Sequence, residues 1–211
     1  MELLNFTFIS SCILGYIIGS FQSSYILGRI FNKIDIREHG THNAGASNAT
    51  MILGFKLGFI TFVLDIYKVV LAMALVNIFF DAGKLNYYYA GLSAILGHNF
   101  PFYLKFKGGK GVASFIGFFV GIDSSLGFIM ILFLSCFAII TNYISITGIF
   151  LYFIGPILVW KSSLNIEITI YSIVICFIGI YLHRENIIKI RDGKEKKLRE
   201  FILDKILKRD N

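Results

Sequence analysis

Val112-Ala113-Ser114-Phe115-Ile116-Gly117-Phe118-Phe119-Val120-Gly121-Ile122 is an uncharged stretch between Lys110 and Asp123, and how it is read sets the number of membrane crossings. As a helix it rises roughly 16 Å, against about 30 Å of hydrocarbon core, so taken alone it is short for a span and open to a re-entrant reading. Its surroundings are less ambiguous. Ser124 to Trp160 contains no charge and is long enough for two spans, with Thr141-Asn142 offering a turn; Ile168 to Leu182 follows as the last. Upstream, Leu85–Leu104 reads as a span, Leu57–Phe80 is apolar apart from Asp65 and Lys68, and Leu3–Gly28 carries no charge. Only a helix or a closed barrel satisfies every backbone group in lipid, and these runs have helical length. Charge sidedness decides the short segment, because cytoplasmic loops gather Lys and Arg. If Val112–Ile122 crosses, Arg29, Lys33, Arg37, Lys56, Lys105, Lys107, Lys110 and the whole tail share one side, and only Lys84 and Lys161 lie on the other. If it does not, Lys105 to Lys110 oppose the tail. The sequence therefore predicts an all-α integral membrane protein of about seven transmembrane helices, N-terminus outside and C-terminus cytoplasmic.

Composition agrees with that class. The chain of 211 residues is 56% hydrophobic and 16% charged, with a mean hydropathy of +0.72, outside the range of soluble domains. The formal net charge of +7 does not indicate nucleic acid, since ten of the twenty Lys and Arg residues follow His183, where they suit anionic membrane lipid. Cys12, Cys136 and Cys176 each sit in an apolar run and imply neither disulfide nor metal site. The first apolar run is preceded by Glu2, is too long for a signal-peptide core and lacks a cleavage site, so it is expected to be retained. Residues 1–183 form the membrane domain and 184–211 a basic interfacial tail, in which Leu198, Phe201, Ile202 and Ile206 recur at helical spacing. Pro101 and Pro156 are expected to kink or end helices.

Three polar clusters stand out on the cytoplasmic side. Gly40-Thr41-His42-Asn43-Ala44-Gly45-Ala46-Ser47-Asn48 is small, polar and nearly uncharged, either a surface loop capped by its own side chains or a cradle of hydroxyl, amide and backbone donors. Gly97-His98-Asn99-Phe100-Pro101 leads into Lys105-Phe106-Lys107-Gly108-Gly109-Lys110-Gly111, a lysine-flanked glycine turn. With a helix starting near Val112, its free N–H groups and dipole favour phosphate; a basic loop that merely fixes orientation needs no glycines. The Walker pattern is absent, which excludes nucleotide hydrolysis of that type. His183-Arg184-Glu185-Asn186 ends the last span, where cations suit a helix C-terminus and Asn186 can act as a cap. Within the second span Asp65 and Lys68 stand three residues apart and can pair, as an inward-facing functional site or a structural ion pair. Gly19-Ser20 and Ser23-Ser24-Tyr25 read as helix-packing positions.

Taken together, the clusters resemble the bacterial acyl-phosphate:glycerol-3-phosphate acyltransferase family over nearly the whole chain. The family's Gly-His-x-Phe-Pro and Phe-Lys-Gly-Gly-Lys-Gly-Val-Ala is intact from Gly97 to Ala113. Its Gly-Ser-Gly-Asn-x-Gly-Ala-Thr-Asn is matched by Gly40 to Asn48 with Thr41 and Ser47 keeping hydroxyls, its His-Arg-x-Asn-Ile by His183 to Ile187, and its first motif by Gly19 to Arg29. Two positions depart: Met51 stands where the family carries an Arg, and Val69 replaces the glycine after Asp-x-x-Lys.

The resemblance implies transfer of a fatty acyl group from acyl phosphate to the 1-hydroxyl of glycerol 3-phosphate, giving lysophosphatidic acid and phosphate, without cofactor or metal, at the cytoplasmic face of the bacterial inner membrane. Two phosphate-bearing substrates need cations and N–H donors to meet. Lys110, Thr41, His183 and Asn186 are the expected catalytic residues. Asn43, Gly45, Ser47, Asn48, His98, Lys107, Gly108, Gly109 and Gly111 are the expected binding residues. None of His39, His42, His98 or His183 is followed by Asp at the spacing of a His-x-x-x-x-Asp dyad, so substrate-assisted proton transfer is expected. A non-catalytic paralogue binding a phosphate-bearing lipid, suggested by Met51, and a small transporter, suggested by Asp65 and Lys68, are the competing readings.

Overall fold

A computed structural model describes residues 6–80 and 83–201, and among these every regular element is helical. In chain order they are α1 (Phe6–Gly19), α2 (Ser23–Leu27), α3 (Ala46–Ile52), α4 (Phe55–Phe80), α5 (Gly83–Asn99), α6 (Val112–Ile122), α7 (Ser124–Thr141), α8 (Ile144–Ser163), α9 (Ile166–Leu182) and α10 (Arg184–Arg191). Large apolar side chains face outward on many of them, including Ile13, Phe59, Phe133, Ile140, Phe153 and Phe177. No soluble helical bundle tolerates so much exposed apolar surface; this is an integral membrane fold.

Four stretches, Phe6–Asn32, α4, α7 and α8, are long and apolar enough to cross a membrane on those grounds alone, and α9 joins them if it is counted with α10, across a 46° bend. The remaining members of the bundle are α5, whose residues Tyr88 to Ile95 are buried, and the short α6. Tyr87 at the start of α5 bonds the Gly121 carbonyl at the end of α6, and Tyr88 bonds Ser162 near the end of α8. The start of α5 and the ends of α6 and α8 therefore meet. The inner face of α6 is packed with Phe115, Phe118 and Phe119, so it needs no lipid-facing length of its own.

Most boundaries fall where the sequence puts them. Thr141 ends α7 and Asn142 takes a left-handed φ of 63°. Three differ. The first apolar run is not one helix to Gly28: α1 stops at Gly19, and the carbonyl of Phe21 at the break is taken by the Lys68 ammonium at 2.7 Å. The third run ends at Asn99 rather than Leu104, because Pro101 disfavours helical backbone in the residue before it. Pro156 lies inside α8 without ending it. In the tail, Leu198 to Phe201 are helical, while Ile202 and Ile206 lie outside the described residues.

Close packing fixes the polar end of the bundle. Cβ atoms on Gly15 and Gly19 would stand 2.2 and 2.0 Å from the Ala90 and Ala94 carbonyl oxygens, so α1 and α5 touch backbone to backbone, the packing role expected of small membrane residues.

Candidate active site

Asn48 organises the first cluster. It is fully buried, and its side-chain Oδ1 accepts from Thr41 N at 2.8 Å while Nδ2 donates to the carbonyls of Ile36, His39 and Asn43 at 2.9 to 3.0 Å. Both amide protons and the amide oxygen are thereby engaged with the chain, and the side chain shapes the loop rather than facing outward. Asn43 accepts from Gly45 N at 3.0 Å and donates to Thr41 Oγ1 at 2.9 Å, which leaves the Thr41 hydroxyl proton free to donate. Gly45 precedes α3, and Ser47 is exposed on its first turn.

The second cluster is tied to the first. Ala44 N donates to the Gly108 carbonyl at 3.2 Å. The N–H groups of Gly108 and Gly109 are spent on Asn99 and His98 carbonyls, both at 3.1 Å, so these two glycines are not the free anion donors expected of them. They are small because the backbone passes close to other groups: a Cβ on Gly109 would lie 2.1 Å from His98 Nε2, and one on Gly108 2.1 Å from the His98 oxygen. Donors for an anion begin at α6, whose first N–H groups have no carbonyl one turn back. Gly111 caps that helix at φ +82°, a left-handed backbone in which a Cβ would also strike Asn99 and Tyr152. Lys107 is exposed above the turn.

Lys110 points from the turn to the third cluster, its ammonium donating to Asn186 Oδ1. Asn186 is therefore no helix cap: it lies inside α10, and its Nδ2 donates to Glu195 Oε1 at 2.7 Å, which also receives the Ser145 hydroxyl at 2.8 Å. Burial pulls the Lys110 pKa down from the ordinary 10.5, against the opposing pull of Glu195 and Glu185. His183 is buried, with Nδ1 2.8 Å from the Gly179 carbonyl and its ring 5.9 Å from that of Tyr152. A carbonyl only accepts, so Nδ1 carries the proton and Nε2, beside Gly148, holds the lone pair. Arg184 is exposed over Tyr181, an interface residue.

The three motif segments thus meet at one end of the bundle. Arg37 does not take the place left by Met51: it forks onto Asp35 at 3.0 and 2.7 Å and donates to the Leu104 carbonyl at 2.9 Å. That bidentate pairing holds the Asp35 carboxyl below its ordinary 3.8. Met51 itself is half-buried on α3. Sequence reasoning missed Glu195, Ser145 and Tyr152. Glu195 lies between Lys194 and Lys196 and reads as a solvated tail residue, but Ser145, Gly148 and Tyr152 fall at i, i+3 and i+7 on one face of a helix that carries no charge before Lys161.

Comparison with known proteins fits this arrangement. The glycerol-3-phosphate acyltransferases of Alkaliphilus metalliredigens and Thermoanaerobacter pseudethanolicus are 38% and 35% identical, over 87% and 89% of this chain and 92% and 94% of theirs. Crystal structures of PlsY (YgiH), an integral membrane glycerol 3-phosphate acyltransferase, superpose in the glycerol 3-phosphate form with a TM-score of 0.80 at 28% identity, over 90% of this chain and 94% of that one. The lysophosphatidic acid form gives 0.79 at 27% identity, over 93% and 98%. A glycerol-3-phosphate acyltransferase family model matches residues 9–193, and the chain belongs to that family.

Proposed function

We propose that the protein transfers a fatty acyl group from acyl phosphate to the 1-hydroxyl of glycerol 3-phosphate at the cytoplasmic face of the bacterial inner membrane, the first acylation of phospholipid synthesis. The observation that carries this reading is the meeting of the Thr41–Asn48 loop, the Gly108–Gly111 turn and the His183–Asn186 segment, through the Ala44–Gly108 and Lys110–Asn186 bonds. In the reaction the glycerol hydroxyl oxygen bonds to the acyl carbonyl carbon, the carbon–oxygen bond to phosphate breaks, and the hydroxyl proton passes to a phosphate oxygen. The products are lysophosphatidic acid and inorganic phosphate. Lys110 and the first turn of α6 offset the developing charge. Thr41, Asn43 and Ser47 hold phosphate and glycerol oxygens, Lys107 draws anions to the turn, and Asn186 and His183 close the site from the last helices. No residue needs to act as a strong base, because an acyl phosphate is already activated and positioning supplies much of the rate.

Seven spans with the N-terminus outside suit this reading, since the polar ends of all the bundle helices then face the soluble substrate. The membrane domain, 1–183, would hold the acyl tail in lipid, and the tail, 184–211, contributes Asn186 and Glu195 to the site. The test is release of phosphate and formation of lysophosphatidic acid by purified protein given palmitoyl phosphate and glycerol 3-phosphate, with palmitoyl-CoA as the alternative donor. Turnover with the first donor and its loss in Lys110→Ala support the reading. Silence of the wild type, with activity gained by Met51→Arg, identifies a decayed site, and silence of both folded proteins removes the acyltransferase reading.

A further inference from the structure

Beneath the glycine turn lies a buried charged group that the proposed reaction does not use. Asp65 and Lys68, one turn apart on α4, are 1% and 3% exposed, and His98 at the end of α5 is 2% exposed. The Lys68 ammonium has three protons and three acceptors: the Phe21 carbonyl at 2.7 Å, Asp65 Oδ1 at 2.9 Å and His98 Nδ1 at 2.7 Å. Ser23 adds a hydroxyl donor to the same Asp65 oxygen at 2.7 Å. An ammonium has no lone pair, so toward a charged Lys68 the His98 Nδ1 accepts and the imidazole proton belongs on Nε2; Asp65 Oδ1 stands farther from Nδ1, at 3.6 Å. That nitrogen lies directly under Gly109, where any Cβ would come within 2.1 Å of it. The His98 carbonyl meanwhile accepts from Gly109 N at 3.1 Å and from Gln22 Nε2 at 2.8 Å. His98 therefore supports the turn through both its ring and its main chain.

A purely structural ion pair would need only Asp65 and Lys68. The third proton of Lys68 goes instead to the one histidine that touches the anion-binding turn, and the distance is as short as that to the carbonyl. We propose that Lys68 is a positioning residue: by donating to His98 Nδ1 it fixes the Nε2–H tautomer and so holds a neutral hydrogen-bond donor under Gly109, aimed at the turn that binds substrate phosphate. Asp65 is the counter-ion that keeps Lys68 charged at that depth. The inference rests on the acyltransferase reading for its consequence in turnover, but not for the tautomer.

The experiment is nitrogen-15 NMR of histidine-labelled protein, with the His98 signals assigned by H98Q, alongside steady-state turnover with palmitoyl phosphate and glycerol 3-phosphate, normalised to folded protein. The wild type is expected to show His98 protonated at Nε2 alone, and K68M to show a tautomer mixture. Turnover should fall roughly tenfold to a hundredfold in K68M with KM for glycerol 3-phosphate little changed, in the range typical of residues that orient a site histidine. D65N/K68M removes both charges together and serves if K68M alone does not fold. A glutamine amide presents a donor near the Nε2 position and has no tautomers, so in the H98Q background K68M should add less than about threefold, a non-additivity that a structural role would not produce. Retention of the Nε2–H tautomer in K68M, or a full K68M effect in H98Q, overturns the proposal. A wild type that transfers no acyl group defeats the functional reading instead, and the tautomer measurement on that same sample still decides the link between Lys68 and His98.

Discussion

Ala44 N donates to the Gly108 carbonyl at 3.2 Å, and this bond joins the polar loop before α3 to the glycine turn before α6. Neither segment is held in register by helix packing alone. The loop is shaped by Asn48, the turn by His98 and Asn99, and the bond between them makes two separately folded loops into one surface.

Loss of Lys110 should be felt in the chemistry. Lys110→Ala is expected to lower kcat/KM by roughly a hundredfold to a thousandfold, the usual effect of removing one preorganised charge donor. Because burial holds its pKa below 10.5, and the ammonium is the useful form, activity should decline as pH rises through that lowered value. Lys110→Arg should push the decline to higher pH, read from the kcat/KM profile.

Shaping and binding roles in the first loop separate by substitution. Asn48→Ala leaves the Asn43 carbonyl and the Thr41 N–H without their partner and takes one of two donors from the Ile36 and His39 carbonyls; it should cost about 3 kcal/mol, seen as a lower Tm in detergent and faster tryptic cleavage near Arg37. Ser47→Ala, at an exposed position, should leave Tm unchanged and raise KM for glycerol 3-phosphate. Equal Tm losses in both variants would contradict this division.

Gly111→Ala combines a left-handed φ with contacts near 2.5 Å to Asn99 and Tyr152. About 1–3 kcal/mol of strain is expected, lowering Tm, and the displaced α6 N-terminus should abolish turnover before the protein unfolds.

The Asp35 pairing gives an acid-side signature. Its carboxyl is held below 3.8 by Arg37, so its contribution to stability is fully present above the unfolded value near 3.8 and is lost as pH falls through the lower folded value. Tm measured down this range should fall less steeply in Asp35→Asn.

Sidedness is open to chemical labelling. With Cys12, Cys136 and Cys176 replaced, single cysteines at the exposed positions Ser47 and Lys107 should react with a membrane-impermeant maleimide only from the cytoplasmic side, and those at Lys84 and Lys161 only from the other. Reaction of the Lys107 and Lys161 positions from one side, the six-span arrangement, would overturn seven spans.

Much of the fold was legible because lipid leaves a helix few choices: the uncharged runs give the helices. α6 was the hard case, since its length says too little, and its own buried Phe115, Phe118 and Phe119 show how so short a helix packs inside the bundle. The break after Gly19 was hidden for a different reason. It is stabilised by Lys68, far along the chain, and no local pattern announces a carbonyl whose partner lies on another helix. Of the site, the motif residues were visible as clusters, but their division of labour was not. Asn48 and Gly109 carry hydrogen-bonding and small-residue signatures that look the same whether they face a ligand or hold a loop, and only burial and distance tell these apart. Glu195 gave no signal at all among the tail lysines.

The hold of Glu195, itself bonded by the Ser145 hydroxyl, on Asn186 bears on biogenesis. A ribosome feeding this chain into a membrane delivers the Thr41–Asn48 loop early and the glycine turn midway, yet the carboxylate that holds the partner of Lys110 arrives only after α9 has been inserted. A nascent or truncated chain ending before residue 195 carries every described apolar helix and still lacks the carboxylate that holds Asn186, so on the proposed reading the membrane helices are in place before the site is finished.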